Sequence, residues 1–181
     1  MRVRATGISD VLIVEPAVFS DARGFFLESY NQKSFAEATS LNLAFVQDNQ
    51  SLSSRGALHG LHYQVRQTQG KLVRVVSGAV FDVAVDIRKT SPSFGQSVCV
   101  ELTGSNHRQI WIPPGFAHGF LVLSDTAHVL YKVTDYYAPE FERCIAWDDQ
   151  ELAIKWPFTG TPFLSAKDQA GSTLRDAEVF I

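Results

Sequence analysis

The chain has 181 residues, 45% of them hydrophobic, which suits one domain with a full core, since domains run to about 100–200 residues. Its formal net charge is −3 and its Lys and Arg residues are scattered singly, which argues against a nucleic-acid footprint. Cys99 and Cys144 are its only cysteines, too few for a disulfide scaffold, and no apolar run approaches the roughly 20 residues of a membrane span. The expectation is a cytoplasmic protein whose partners are small molecules or a second copy of itself.

In chain order, short apolar runs punctuated by Gly, Pro, Asn and Asp predict strands over Val11–Glu15 and Gly24–Tyr30, a short helix over Gln32–Thr39, then strands over Ala44–Leu52, Ala57–Gln64 and Lys71–Ser77. Further strands are expected at Ala79–Ile87, Ser97–Leu102, Arg108–Ile112, Gly119–Leu123 and Ala127–Thr134, with turns between Pro139 and Lys155. Their 8–12-residue spacing predicts an all-β sandwich or barrel, read as a single domain over residues 1–181, with no repeat or linker dividing it. In Val80–Ile87, Phe81, Val83, Val85 and Ile87 share one face and Asp82, Ala84 and Asp86 the other. That pattern fits a half-buried strand with a solvated face; it also allows Asp82 to look into a barrel mouth and pair with Lys71.

Three segments carry chemistry: Leu58-His59-Gly60-Leu61-His62-Tyr63-Gln64, Gly70-Lys71-Leu72-Val73-Arg74 and Pro113-Pro114-Gly115-Phe116-Ala117-His118. A histidine near a lysine supplies a base beside a cation, which proton abstraction next to a carbonyl requires. The Pro-x-Gly turn before His118 resembles the second cupin motif and favours a jelly roll, the double-stranded β-helix, with a few short peripheral helices. His59, His62, His118 and Glu101 are the residues on offer as metal ligands. However, residues three apart in a regular strand point to opposite faces, so His59 and His62 are not expected to grip one ion unless a bulge intervenes.

Further segments appear in order from about Ile8 to Asp168, among them Asp21-Ala22-Arg23-Gly24-Phe25-Phe26, Phe45-Val46-Gln47-Asp48-Asn49, Phe81-Asp82-Val83-Ala84-Val85-Asp86 and Leu164-Ser165-Ala166-Lys167-Asp168. Together they resemble the dTDP-4-dehydrorhamnose 3,5-epimerases of dTDP-L-rhamnose biosynthesis. The resemblance implies inversion of carbons 3 and 5 of a dTDP-linked 4-keto-6-deoxyhexose, without metal or other cofactor. By that resemblance His62 is the base, Asp168 its orienting carboxylate, Lys71 the cation near the ketone oxygen and Tyr131 the proton donor on the opposite face. It assigns substrate contacts to Arg23, Phe26, Glu28, Gln47, Asp48 and Asn49, and to His59, Lys71, His118, Tyr137, Glu142 and Lys167, with Tyr137 stacking on thymine. It also implies a homodimer in which N-terminal strands pair across subunits, so that Arg23, Phe26 and Glu28 serve the neighbour's pocket.

One position departs from the family's pattern. Where relatives read Leu-Arg-Gly-Leu-His, this chain has Leu58-His59-Gly60-Leu61-His62, replacing a guanidinium by a shorter, mostly neutral imidazole. Weaker binding, compensation by Arg55 or Arg66, and a different 4-keto sugar nucleotide are all open outcomes. The alternatives are an epimerase acting at carbon 3 only, a metal-dependent cupin dioxygenase or isomerase, and a non-catalytic sugar-binding cupin.

Overall fold

Alternation of apolar side chains along successive strands builds two antiparallel sheets packed face to face, in a computed structural model that describes every residue from Met1 to Ile181. The first sheet takes β1 (Arg2–Ala5), β2 (Leu12–Glu15), β5 (Gln47–Ser54), β7 (Lys71–Ser77), β10 (Gln109–Ile112) and β12 (Thr126–Val133), in the order β1-β2-β10-β7-β12-β5. The second takes β6 (Leu58–Gln64), β8 (Ala79–Asp86), β9 (Ser97–Thr103), β11 (Phe116–Val122) and β13 (Glu142–Cys144), in the order β13-β6-β11-β8-β9. β3 (Val18–Asp21) and β4 (Gly24–Leu27) pair only with each other. The helices are α1 (Gln32–Thr39) and the one-turn α2 (Ala166–Gln169).

Between the sheets lies a core of Val73, Val75, Ile110 and Ile112 from one side against Val80, Leu102, Phe116 and Val122 from the other. Period 2 places Lys71 on the same inner face as Val73 and Val75, and Tyr131 beside Val129 and Val133. One end of the inter-sheet space is therefore apolar and the other polar, and the polar end is where the site forms.

β8 is buried on both sides, not half-buried as its alternation suggested. Its outer residues Val83 and Val85 lie under Leu152, Leu174 and the C-terminal Val179 and Phe180, while Asp82 and Asp86 are fully buried. Asp86 accepts hydrogen bonds from Arg88, Ser91 and Ser93, which is how a buried carboxylate is tolerated there. The tail from Gly171 onward thus packs on the outside of the second sheet.

The helix over Gln32–Thr39 forms as expected, capped by Asn31, whose side chain accepts the Ser34 N–H, and ended by Ser40 in the left-handed region at φ 61°. It buries Phe35 against Trp111 and Val14, a contact whose removal by Phe35→Ala typically costs about 3–5 kcal/mol. Boundaries shift elsewhere: the strand expected at Ala44–Leu52 runs over Gln47–Ser54, and that expected at Gly24–Tyr30 ends at Leu27. The Gly119–Leu123 strand already begins at Phe116, because Gly115, at φ +90°, turns the chain directly into it. The hairpin β3–β4 leaves Phe19, Phe25 and Phe26 exposed.

Candidate active site

The polar end of the sandwich encloses a cavity of about 340 Å³ whose walls come from both sheets. β5 contributes Gln47, Asn49 and Ser51, β7 contributes Lys71 and β12 contributes Tyr131; from the facing sheet come His59, His62 and Gln64 of β6 and His118 and Phe120 of β11. Tyr137 and Glu142 close the rim.

His59 and His62 both border this cavity, contrary to the expectation that they face opposite ways. The register between β6 and β11 shifts: His62 pairs with His118 but His59 with Phe120, so β6 carries one residue more than its partner. Gly60 makes the shift possible. It sits at φ +108°, and a Cβ there would lie 2.5 Å from the His118 carbonyl oxygen.

Asp168 reaches His62 from α2. Nε2 of His62 lies 2.9 Å from Asp168 Oδ1, a short contact that is not aligned as a ring N–H hydrogen bond. The carboxylate accepts the Gly60 N–H on Oδ1 and the Ser165 N–H and hydroxyl on Oδ2, within a capping box that starts α2. Burial alone would raise this carboxyl, but His62, Ser165 and the Gly60 N–H outweigh it and hold it well below the usual carboxylate range. With Nε2 turned to Asp168, Nδ1 of His62 is the nitrogen left for the cavity.

Lys71 is 8% exposed and donates to the His62 carbonyl oxygen at 3.3 Å, a contact that leaves other ammonium protons unused. Burial lowers its pKa to about 8 against the opposing fields of Asp82 and Glu142. Asp82 does not pair with it, as the sequence had allowed. It binds His118 instead, Oδ2 to Nε2 at 2.9 Å, because both side chains project inward from adjacent strands. Burial pushes His118 down, only partly offset by Asp82. Burial raises the Tyr131 phenol, with Glu142 adding to the effect, so Tyr131 keeps its proton at neutral pH.

His59 is stacked on Phe120 at 4.7 Å between ring centroids, and its Nε2 lies 2.9 Å from the Ser53 hydroxyl. Burial lowers its pKa, so it is a neutral hydrogen-bonding group. Arg55 pairs with Asp125 and Arg66 lies over the Phe141 ring, so neither supplies a guanidinium to the cavity. At the rim, Glu142 accepts from the Tyr137 hydroxyl at 2.9 Å and from Lys167. Burial would raise the Glu142 carboxyl, but these two donors outweigh it and keep it ionised.

Four expected contacts fall elsewhere. Asp48 points to the other face of β5 and pairs with Lys132 at 2.8 Å, since alternation turns Gln47, Asn49, Ser51 and Ser53 to the inner face. Arg23 pairs with Asp21 on the exposed hairpin, Phe26 is exposed on β4, and Glu28 accepts from Asn31; none borders this chain's own cavity. Glu101, offered as a ligand, is exposed on β9 and outside the cavity. Ser51, Gln64, Gln69 and Phe120 also line the cavity, beyond the residues expected there. Period 2 from Asn49 and from His62 was a usable signal for Ser51 and Gln64. As for metal donors, only His62, Cys144 and Asp168 converge, with donor atoms within 4.8 Å of one another.

A jelly-roll sandwich with an imidazole on one wall, a phenol on the other and a buried ammonium beside them has the layout of a cupin-type sugar epimerase. Residues 5–176 match the family described as dTDP-4-dehydrorhamnose 3,5-epimerase, and the chain belongs to that family. It is 58% identical to the dTDP-4-dehydrorhamnose 3,5-epimerase of Pseudomonas aeruginosa, over 99% of both chains. The crystal structure of a Legionella pneumophila dTDP-6-deoxy-D-glucose-3,5-epimerase in complex with dTDP-4-keto-L-rhamnose superposes with a TM-score of 0.96 at 52% identity, covering 98% of this chain and 94% of that one. A Streptomyces niveus relative, 41% identical over 98% of this chain and 86% of its own length, is a dTDP-4-dehydrorhamnose 3-epimerase.

Proposed function

We infer that this isomerase inverts carbons 3 and 5 of dTDP-4-dehydro-6-deoxy-D-glucose to give dTDP-4-dehydro-L-rhamnose, in dTDP-L-rhamnose biosynthesis. The observation that carries the mechanism is that His62 and Tyr131 stand on opposite sheets and border one cavity, with Lys71 in its wall. Each inverted carbon flanks the ketone. His62 takes its proton through Nδ1, and Asp168 stabilises the imidazolium that forms. The Lys71 ammonium lies in a poorly hydrated wall, where a fixed charge stabilises the developing enolate oxygen more strongly than in water. Tyr131 returns a proton from the other side, which is what turns exchange into inversion.

Gln47, Asn49, His59 and His118 offer neutral hydrogen-bonding groups to the sugar or base, and the exposed Tyr137 ring suits stacking on thymine. Lys167, beside Tyr137 at the rim, suits the pyrophosphate. Arg23, Phe26 and Glu28 fit a neighbour's pocket in a homodimer; the self-contained β3–β4 hairpin with its exposed Phe19, Phe25 and Phe26 supports that arrangement. No helix is long and apolar enough to cross a membrane, and two free cysteines are compatible with the reducing cytoplasm we assign to it.

Inversion at carbon 3 alone is the second reading, favoured by one observation: the Streptomyces niveus 3-epimerase is 41% identical. NMR of dTDP-4-dehydro-6-deoxy-D-glucose in heavy water separates the two. The leading reading expects deuterium at both carbons; deuterium at carbon 3 alone overturns it.

A further inference from the structure

Behind the catalytic histidine three donor side chains converge, and one of them, Cys144, has no part in proton abstraction. β13 pairs with β6 so that Cys144 stands opposite His62, and Asp168 arrives from α2 to close a triangle. His62 Nε2, Cys144 Sγ and a carboxylate oxygen of Asp168 lie within 4.8 Å of one another. Nε2 is buried without an aligned hydrogen-bond partner, and the Cys144 thiol makes only a 3.5 Å contact with the Ile145 carbonyl. Asp168 Oδ1 accepts the Gly60 N–H and keeps a second lone pair.

We propose that these three side chains form an inhibitory site for Zn²⁺ and similar thiophilic divalent cations. Imidazole nitrogen, thiolate and carboxylate are the donors zinc prefers, at about 2.0–2.3 Å, with donor-to-donor separations near 3.5 Å in a tetrahedral shell. Side-chain shifts on the order of 1 Å bring the triangle to that size. Three protein ligands leave a fourth position for water. Hard Mg²⁺ and Ca²⁺, which select oxygen ligands, are not bound there.

Binding has a definite consequence for the base. As the Zn–S bond forms, the Cys144 thiol releases its proton to solvent. Nε2 must give its lone pair to the ion, so the single proton of the neutral ring resides on Nδ1, the nitrogen that faces the cavity. An Nδ1–H cannot accept a proton from a sugar carbon. Zinc therefore silences the enzyme by fixing the wrong tautomer, without entering the substrate cavity. This consequence rests on His62 being the base; the binding itself does not.

The test is titration of the full-length protein with Co²⁺ and with chelator-buffered Zn²⁺, reading both absorption and epimerisation. The wild type is expected to show a thiolate-to-cobalt charge-transfer band at one cobalt per chain, displaced by Zn²⁺, with activity lost in parallel and restored by chelator. Cys144→Ala is expected to keep its metal-free activity and lose the band. Even outer partners of a metal site are worth 10–100-fold, so loss of a direct ligand is expected to raise the zinc needed for inhibition by at least about a hundredfold. Cys144→Ser is expected to lose the band as well, while a Cys99→Ser control keeps it. A wild type without the band, or a Cys144→Ala protein as zinc-sensitive as wild type, overturns the proposal. A protein that binds cobalt through Cys144 yet never epimerises would leave the site standing and sink the proposed function.

Discussion

Two histidine–carboxylate pairs stand side by side on one sheet of this molecule, and they differ in how they are held. In both, Nε2 lies 2.9 Å from a carboxylate oxygen of a nearly fully buried aspartate. Asp168 is held by the Gly60 N–H and by Ser165, and its His62 has 26% of its side chain exposed. Asp82 has one oxygen, Oδ1, with no partner, and its His118 is 7% exposed. The first pair is a braced carboxylate behind an accessible ring, the arrangement the proposed base requires. The second is an enclosed ring pushed toward neutrality, suited to hold a substrate oxygen by a hydrogen bond. Distance alone does not distinguish them; bracing and access do.

The largest expected break is His62→Ala, which should cost about 10²–10⁴-fold in kcat, the usual worth of a general base. A comparable loss for His118→Ala would erase the distinction. Next, Asp168→Asn should slow turnover well beyond Asp82→Asn, because an amide no longer favours the tautomer that leaves Nδ1 unprotonated; kcat measured for both variants, with the order reversed, would refute the assignment.

Lys71 gives a pH test. In the proposed mechanism its ammonium is the form that stabilises the enolate, and with a pKa of about 8 that form is lost as pH rises, so kcat/KM should fall above about pH 8. Lys71→Arg should move this alkaline fall upward, since a guanidinium keeps its proton, although the absolute rate drops; an unmoved limb would assign it to another group. The smallest effect is expected at His59. His59→Arg should change KM by less than about tenfold and leave the inverted carbons the same, because the ring is a neutral group already engaged with Ser53. A switch in which carbon is inverted, read from product NMR, would contradict this.

Strand content was legible because short apolar runs are punctuated by Gly, Pro, Asn and Asp, and α1 because Asn31 caps a short helical run. β1, β3, β13 and α2 are not among the expected elements, because they are only three or four residues long and depend on distant partners for their stability. The Ser165-to-Asp168 spacing was a local clue to α2 that went unused. At the site, residue types and motifs pointed to His62, Lys71 and His118, while Tyr131 came from the family resemblance alone. Their orientation was another matter. His59 joins His62 only through a register shift set by β11, and Asp82 meets His118 through strand pairing, neither of which one strand's alternation can reveal. Asp48 was misplaced for the opposite reason: simple alternation on β5 already turned it away.

Inversion in the proposed mechanism needs a base and an acid acting from opposite walls of one cavity, and solvent isotope exchange by Tyr131→Phe in heavy water tests this most directly. That variant should still wash deuterium into the sugar through His62 while yielding little inverted product, whereas His62→Ala should do neither. Full inversion by Tyr131→Phe, or loss of exchange as complete as that of His62→Ala, would contradict the division of labour between the two walls.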